Sequence, residues 1–160
     1  MNLSFRAVDR TNFLKIAHLR VSPEQENFVA PNDVSIMEAY VTVTGGDVAL
    51  PYGIYDGDTL VGFFMLGYET EWFADAPTAA KGSYCLWRLM IDARYQRKGY
   101  GSAAMPEILK LARSFPAGRA ERIWVSYEPG NDAARRLYAR FGFEENGEVS
   151  DGETIAVLRL

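Results

Sequence analysis

Residues 84–105, YCLWRLMIDARYQRKGYGSAAM, place a dense apolar run, a cationic glycine segment and a helix-forming run end to end, and few folds accept that order. The large apolar side chains of residues 83–92 imply a strand buried on both faces, the central strand of a sheet. Gly99 and Gly101 then turn the chain into a helix predicted to reach about Ser114, with Pro106 in conflict. A proline inside a helix removes one backbone hydrogen bond, so this helix either bends there or starts later.

A glycine turn between strand and helix exposes unpaired backbone N–H groups, and the helix dipole adds positive charge, so phosphate is attracted. Gly99 and Gly101 let the backbone approach an anion without Cβ atoms in the way, and Arg97 and Lys98 add cations. The plain alternative is a tight turn with no ligand. A P-loop is excluded, because Lys98 lies on the wrong side of its glycine. Gly99, Gly101 and Ala104 match a dinucleotide fingerprint, with Glu121 or Glu128 roughly 20 residues later. That fold needs further strand–helix units, which the remaining length, about 60 residues, does not supply.

The rest of the chain reads as alternating elements. Residues 1–8 alternate as a strand; Asp9 and Thr11 offer caps for a helix carrying Phe13, Leu14, Ile16, Ala17 and Leu19. A proline-broken loop, VSPEQENFVAPNDVS, precedes a second helix over about residues 33–44. Two apolar stretches between Pro51 and Tyr68 meet at Asp56-Gly57-Asp58, a hairpin signal. After the glycine segment come a strand RIWVSY, a helix NDAARRLYARFGF, and closing strands around residues 143–149 and 154–160. The order is β-α-α-β-β-β-α-β-α-β-β, in one domain over residues 1–160.

Hydrophobic residues at 48% and charged residues at 24% are the balance of a folded globular chain. A net charge of -4 disfavours a nucleic-acid-binding face and suits cationic or neutral ligands. The single cysteine, Cys85, sits among apolar residues and reads as a buried hydrophobe, so a reducing, cytoplasmic location is expected. Residues 1–10 show no secretory pattern, and no apolar run is long enough to span a bilayer, so no membrane partner is expected. His18 falls on the polar side of the first helix and reads as a surface residue. No metal site is expected.

Gln96-Arg97-Lys98-Gly99-Tyr100-Gly101 matches Q/R-x-x-G-x-G/A at every fixed position, and LMIDARYQ supplies the preceding L-x-V/I-D/H, with Ala93 where proline is frequent. Downstream, Asn131, Ala134, Leu137, Tyr138, Gly142 and Phe143 match N-x-x-A-x-x-L/F-Y-x-x-x-G-F. In these two blocks the chain resembles the GNAT superfamily of acetyl-CoA-dependent N-acetyltransferases, and the element order agrees over the whole length. The resemblance implies an α/β (α+β) fold: a mixed, mostly antiparallel sheet of about seven strands, splayed between strands 4 and 5 and flanked by four helices.

The resemblance also implies a division of labour. The main chain of Leu89, Met90 and Ile91 would pair with pantetheine, with an N–H polarising the thioester carbonyl. The backbone of Gln96, Arg97, Lys98, Gly99, Tyr100, Gly101 and Ser102 would take the pyrophosphate of acetyl-CoA. Tyr138 would protonate the leaving thiolate and touch the cofactor, although periodicity alone makes it a core residue. Asn131 has two readings, helix N-cap and cofactor contact. An alkylammonium has a pKa of about 10.4, so a carboxylate must help remove its proton. The candidates are Glu24 and Glu26 between the first helices and Glu69 and Glu71 after the third strand, Glu24 and Glu69 standing for each pair; each also reads as a solvated surface acid.

Gln25, Phe28, Val29, Ala30, Asn32 and Ser35 carry a further likeness to the bacterial spermine/spermidine acetyltransferase-like branch. The acceptor expected from it is a small-molecule amine such as a polyamine, met by Glu24, Gln25, Phe28, Glu71, Trp72 and Arg88. Acidic loops around residues 24–26 and 69–75 would steer such a cation. Another amine acceptor, or a non-catalytic acyl-CoA-binding module, are the competing readings. Arg88 must find a partner within its apolar strand: a core carboxylate or the acceptor. Trp72 and Phe73 form either a lid over the acceptor or a contact within a homodimer.

Overall fold

A computed structural model describes residues 1–160. The elements are β1 (Leu3–Ala7), α1 (Phe13–Ala17), α2 (Asn32–Thr44), β2 (Val48–Asp56), β3 (Thr59–Tyr68), β4 (Tyr84–Ile91), α3 (Tyr100–Arg113), β5 (Arg122–Tyr127), α4 (Asp132–Arg140), β6 (Glu144–Ser150) and β7 (Glu153–Arg159). Short 3-10 turns occupy Pro23–Gln25, Thr70–Trp72, Thr78–Ala80 and Ala93–Tyr95. The seven strands form one sheet in the order β1-β2-β3-β4-β5-β7-β6, in which β4 and β5 run parallel. The predicted element order and fold class hold throughout. The chain divides into two units: Met1–Leu66 with Arg88–Ala104, and Gly67–Trp87 with Met105–Leu160.

In the first unit β1 pairs antiparallel with β2, Phe5 opposite Ile54. The rings of Phe5 and Tyr52 both meet Phe64, at 4.6 and 5.2 Å. Gly57, at φ +59, begins the two-residue turn between β2 and β3, a conformation open to glycine without steric cost. Gly62 serves packing instead: a Cβ there would lie 2.5 Å from the Met90 carbonyl, so only glycine lets the backbones approach this closely.

The first helix departs from expectation. α1 has five residues and no side-chain cap from Asp9 or Thr11. Asp9 instead accepts bonds from the N–H and hydroxyl of Thr11, while buried Asn12 accepts from the Asp9 N–H and donates to the Ala7 carbonyl. Past Ala17 the chain tightens into a turn, the Leu19 N–H bonding the Ile16 carbonyl. Leu19 is thus buried by a turn and not by a helical stripe.

In the second unit β5 pairs with β7 along all six residues, Arg122↔Arg159 through Tyr127↔Thr154. Its ladder to β4 is short, comprising Tyr84↔Ile123 and Cys85↔Trp124. β6 pairs with β7 across a register shift between Glu145 and Val149, where Gly147 takes φ +83. Buried Tyr84 secures the loop before β5: its hydroxyl donates to the Gly118 carbonyl and accepts from the N–H groups of Ala117 and Gly118. α3 starts at Tyr100 with Pro106 inside it, so the alternative of a later start is corrected. The expected two-sided burial of β4 holds for Tyr84, Cys85, Leu86 and Met90; its other four residues are half-buried. No helix is long and apolar enough to cross a membrane.

Candidate active site

In the first unit the end of β4 is fixed by one buried carboxylate. Asp92, 4% exposed, caps the 3-10 turn Ala93–Tyr95: its Oδ1 accepts from the Arg94 N–H at 3.1 Å and from Arg94 Nε at 2.6 Å. Its Oδ2 accepts from the Arg20 N–H at 3.2 Å, and the Ala93 N–H returns a bond to the Arg20 carbonyl at 2.8 Å. Burial pushes the Asp92 pKa up, but the Arg94 side chain and the N–H groups of Arg20 and Arg94 outweigh it and hold the carboxyl below its ordinary value. The turn into the glycine segment is therefore tied to the chain that follows α1.

Gln96 adds a second tie. Its Nε2 donates both to the Ile91 carbonyl and to Gln25 Oε1, each at 2.9 Å. Since that amide is committed internally, what the loop offers an anion is its backbone. Arg97 and Gly99 are both left-handed, at φ +59 and +86, and α3 begins at the next residue. A left-handed turn running into a helix N-terminus leaves backbone N–H groups unpaired at the positive end of the helix, where phosphate oxygens are held. A Cβ on Gly99 would meet only the Met1 methyl, at 3.5 Å, so the backbone stands clear of side chains. A left-handed Arg97 stores strain of the kind found at ligand-holding loops. These residues fit a pyrophosphate.

The flanking side chains brace the loop. Lys98 donates to the Arg94 carbonyl and lies 5.6 Å from the centre of the Tyr95 ring. Tyr100 donates to Asp56 Oδ2 at 2.9 Å, and that bond, with burial, raises the pKa of its hydroxyl. Arg97 lies 3.6 Å from Glu24, an exposed pair.

Arg88 finds a carboxylate: its guanidinium bonds Glu38 Oε2 on α2 at 2.8 Å. Glu38 was not anticipated. It lies three residues after buried Ser35 and next to buried Ala39, so an acid on the inner face of α2 was the signal that would have found it. The acids that were anticipated, Glu24, Glu26, Glu69 and Glu71, are all exposed. The backbone N–H of Glu24, with Arg97 adding to it, lowers that carboxyl's pKa. Gln25 and Phe28 are half-buried in the same loop, the Phe28 N–H bonding the Gln25 carbonyl. Leu89 and Ile91 are half-buried and Met90 buried.

In the second unit Tyr138 is 8% exposed on α4, stacked on Tyr127 at 5.8 Å and tilted against Phe143 at 5.6 Å. Burial, then the neighbouring Cys85, Glu153 and Tyr127, push its hydroxyl far above the ordinary tyrosine value. Tyr138 therefore holds its proton throughout the neutral range. Tyr127, donating to Glu145 at 2.8 Å, is pushed up to about 12 by burial and that bond. Asn131 takes the N-cap of α4, its side chain accepting from the Ala134 N–H at 3.1 Å. Trp72 is exposed and Phe73 half-buried, and both rings lie against Trp87.

Residues 13–143 match the acetyltransferase (GNAT) family. The chain is 33% identical, over 162 aligned positions covering all of both proteins, to a spermine/spermidine N(1)-acetyltransferase of Bacillus subtilis (strain 168). Among solved structures it resembles an aminoglycoside acetyltransferase in complex with coenzyme A (TM-score 0.75, 17% identity, 98% and 94% of the two chains). It also resembles a spermidine N-acetyltransferase from Vibrio cholerae in complex with CoA and spermine (TM-score 0.70, 17% identity, 99% and 95%). With the glycine loop and the Asn131–Tyr138 block both in register, this chain belongs to the acetyltransferase (GNAT) family and is an acyltransferase whose donor is acetyl-CoA.

Proposed function

We propose that the enzyme acetylates a primary amine of a polyamine such as spermidine or spermine, with both units acting as one domain. The observation that carries this reading is the 33% identity, over the full length of both chains, with a spermine/spermidine N(1)-acetyltransferase. The net charge of -4 and the acids around residues 24–26 and 69–75 suit a multiply cationic acceptor.

When bound, acetyl-CoA supplies a thioester carbonyl open to attack by an amine. In the proposed arrangement the backbone N–H groups of residues 96–102 hold the pyrophosphate, supported by the left-handed pair Arg97 and Gly99. The main chain of Leu89, Met90 and Ile91 orients pantetheine, and Asn131, while capping α4, borders the cofactor. Tyr138 delivers a proton to the departing sulfur, a role suited to a hydroxyl that stays protonated at neutral pH. Glu24 and Glu69 are the carboxylates assigned to the amine proton, through water; Gln25, Phe28, Glu71 and Arg88, the last held by Glu38, border the acceptor. A cytoplasmic location and a homodimer belong to the same proposal, the dimer checked by sedimentation.

The test is acetyl-CoA consumption over polyamines, amino acids and aminoglycosides. The reading requires polyamines to give the highest kcat/KM. Preference for another amine class removes the polyamine assignment, and cofactor binding without turnover leaves an acyl-CoA-binding module.

A further inference from the structure

We infer that Trp72, Phe73 and Trp87 wall a subsite for a second, still protonated nitrogen of the acceptor, an inference that rests on the polyamine reading. Trp72 and Phe73 have ring centres 4.5 Å apart at 90°, Phe73 and Trp87 4.8 Å apart at 52°, and Trp72 and Trp87 5.7 Å apart at 70°. Each ring touches the other two and no two are parallel. Three rings so arranged form a corner, with faces turned in different directions. An alkylammonium within about 6 Å of such faces is attracted by their negative charge density, while its methylenes shed water against them.

The corner is held in place before any ligand arrives. Phe73 and Trp87 pack on a buried cluster of Ala79, Ala80, Cys85, Trp124 and Ile155, with Phe73 and Trp124 ring centres 6.2 Å apart. The loop carrying Trp72 and Phe73 is tied at three points. The Glu69 N–H bonds the Ser83 carbonyl at 3.0 Å, the Thr78 N–H bonds Glu148 Oε1 at 3.0 Å, and the Ser150 hydroxyl bonds the Asp75 carbonyl. Glu69 is left-handed at φ +51, a strain that the anchored loop sustains. If closing over a core were the loop's whole task, its largest ring would be inside. Trp72 is instead 41% exposed on a hydrogen-bonded turn.

Charge points to the occupant. Residues 69–82 carry Glu69, Glu71 and Asp75, all exposed, against one cation, Lys81. Aromatic faces amid surplus carboxylates favour a cation over a neutral or anionic group. Cys85, in the cluster on which Phe73 and Trp87 pack, also neighbours Tyr138, so the corner and that tyrosine share one buried residue.

The experiment is steady-state acetyl-CoA consumption with spermidine by the wild type, Trp72→Leu and Trp72→Phe, with tryptophan fluorescence of the wild type titrated by spermidine. Leucine keeps the apolar bulk and removes the ring face. It should raise the KM for spermidine about tenfold and that for acetyl-CoA less than twofold, whereas phenylalanine restores most of the difference. Spermidine should quench the fluorescence and saturate near its KM. Equal spermidine KM in Trp72→Leu and wild type, a parallel rise in both KM values, or a flat titration overturns the corner alone. A wild type that turns over no polyamine overturns the polyamine reading and the corner with it.

Discussion

Residues 92–99 and 69–82 are the irregular segments that follow and precede β4 in the sequence, and they are held by opposite kinds of force. The first is fixed by directional polar bonds: Asp92 to Arg20 and Arg94, Gln96 to Ile91 and Gln25. The second is fixed chiefly by ring packing of Phe73 against Trp87 and Trp124, with polar ties at its margins. Hydrogen bonds specify backbone torsions closely, whereas ring contacts tolerate many side chains of similar volume. The segment proposed to hold the cofactor uses the first kind. The second suits a surface matched to one acceptor among many.

Four substitutions probe that contrast, in descending order of effect. Gly99→Glu should cut kcat/KM for acetyl-CoA about 10³-fold, because it forces a side chain into φ +86 and sets a negative charge against the pyrophosphate. Steady-state kinetics check it, and an unaffected KM would mean the loop is a turn and nothing more. Tyr138→Phe should lower kcat about 10²-fold with acetyl-CoA binding kept. Since burial raises the Tyr138 pKa, its protonated form persists as pH rises, so kcat of the wild type should show no fall between pH 6 and 10 from this group. Such a fall, absent in the Phe variant, would assign Tyr138 a lower pKa and a different role.

Asp92→Asn sharpens the polar side of the comparison. Replacing one oxygen of this buried carboxylate by an NH2 group sets a donor against the N–H groups it receives, which should destabilise the fold by about 1–3 kcal/mol at pH 7, read by thermal melting. The sign follows from the lowered carboxyl: the folded state binds the proton less readily than the unfolded one, so the contribution is full above the ordinary 3.8 and fades as pH falls through the lower folded value. The gap in Tm between wild type and variant should therefore narrow below pH 3.8. Gln25→Ala, removing one neutral hydrogen bond to Gln96, should cost about 1 kcal/mol and shift the acetyl-CoA KM at most about fivefold.

The same contrast accounts for what was legible in the sequence. The element order, the hairpin at Asp56-Gly57-Asp58 and the Asn131 cap emerge from periodicity and turn chemistry, which act locally. The turn at Gly99 emerges because glycine has few substitutes at φ +86. α1 misleads because apolar spacing continues to Leu19 although the helix stops at Ala17. The cap signals of Asp9 and Thr11 bond each other, leaving Asn12 to bind the strand. Arg88 announces that a partner exists, but 50 residues separate it from Glu38, and only the fold brings them together. Nor does sequence spacing reveal that Trp87, on β4, completes a corner with Trp72 and Phe73.

The most direct test of the account is a single rate comparison, acetyl-CoA consumption by the purified wild type with spermidine or spermine against an amino acid and an aminoglycoside. The account predicts saturable turnover with the polyamines and the highest kcat/KM among the amines. Binding of acetyl-CoA with no polyamine turnover, or a higher kcat/KM for either other class, would contradict it.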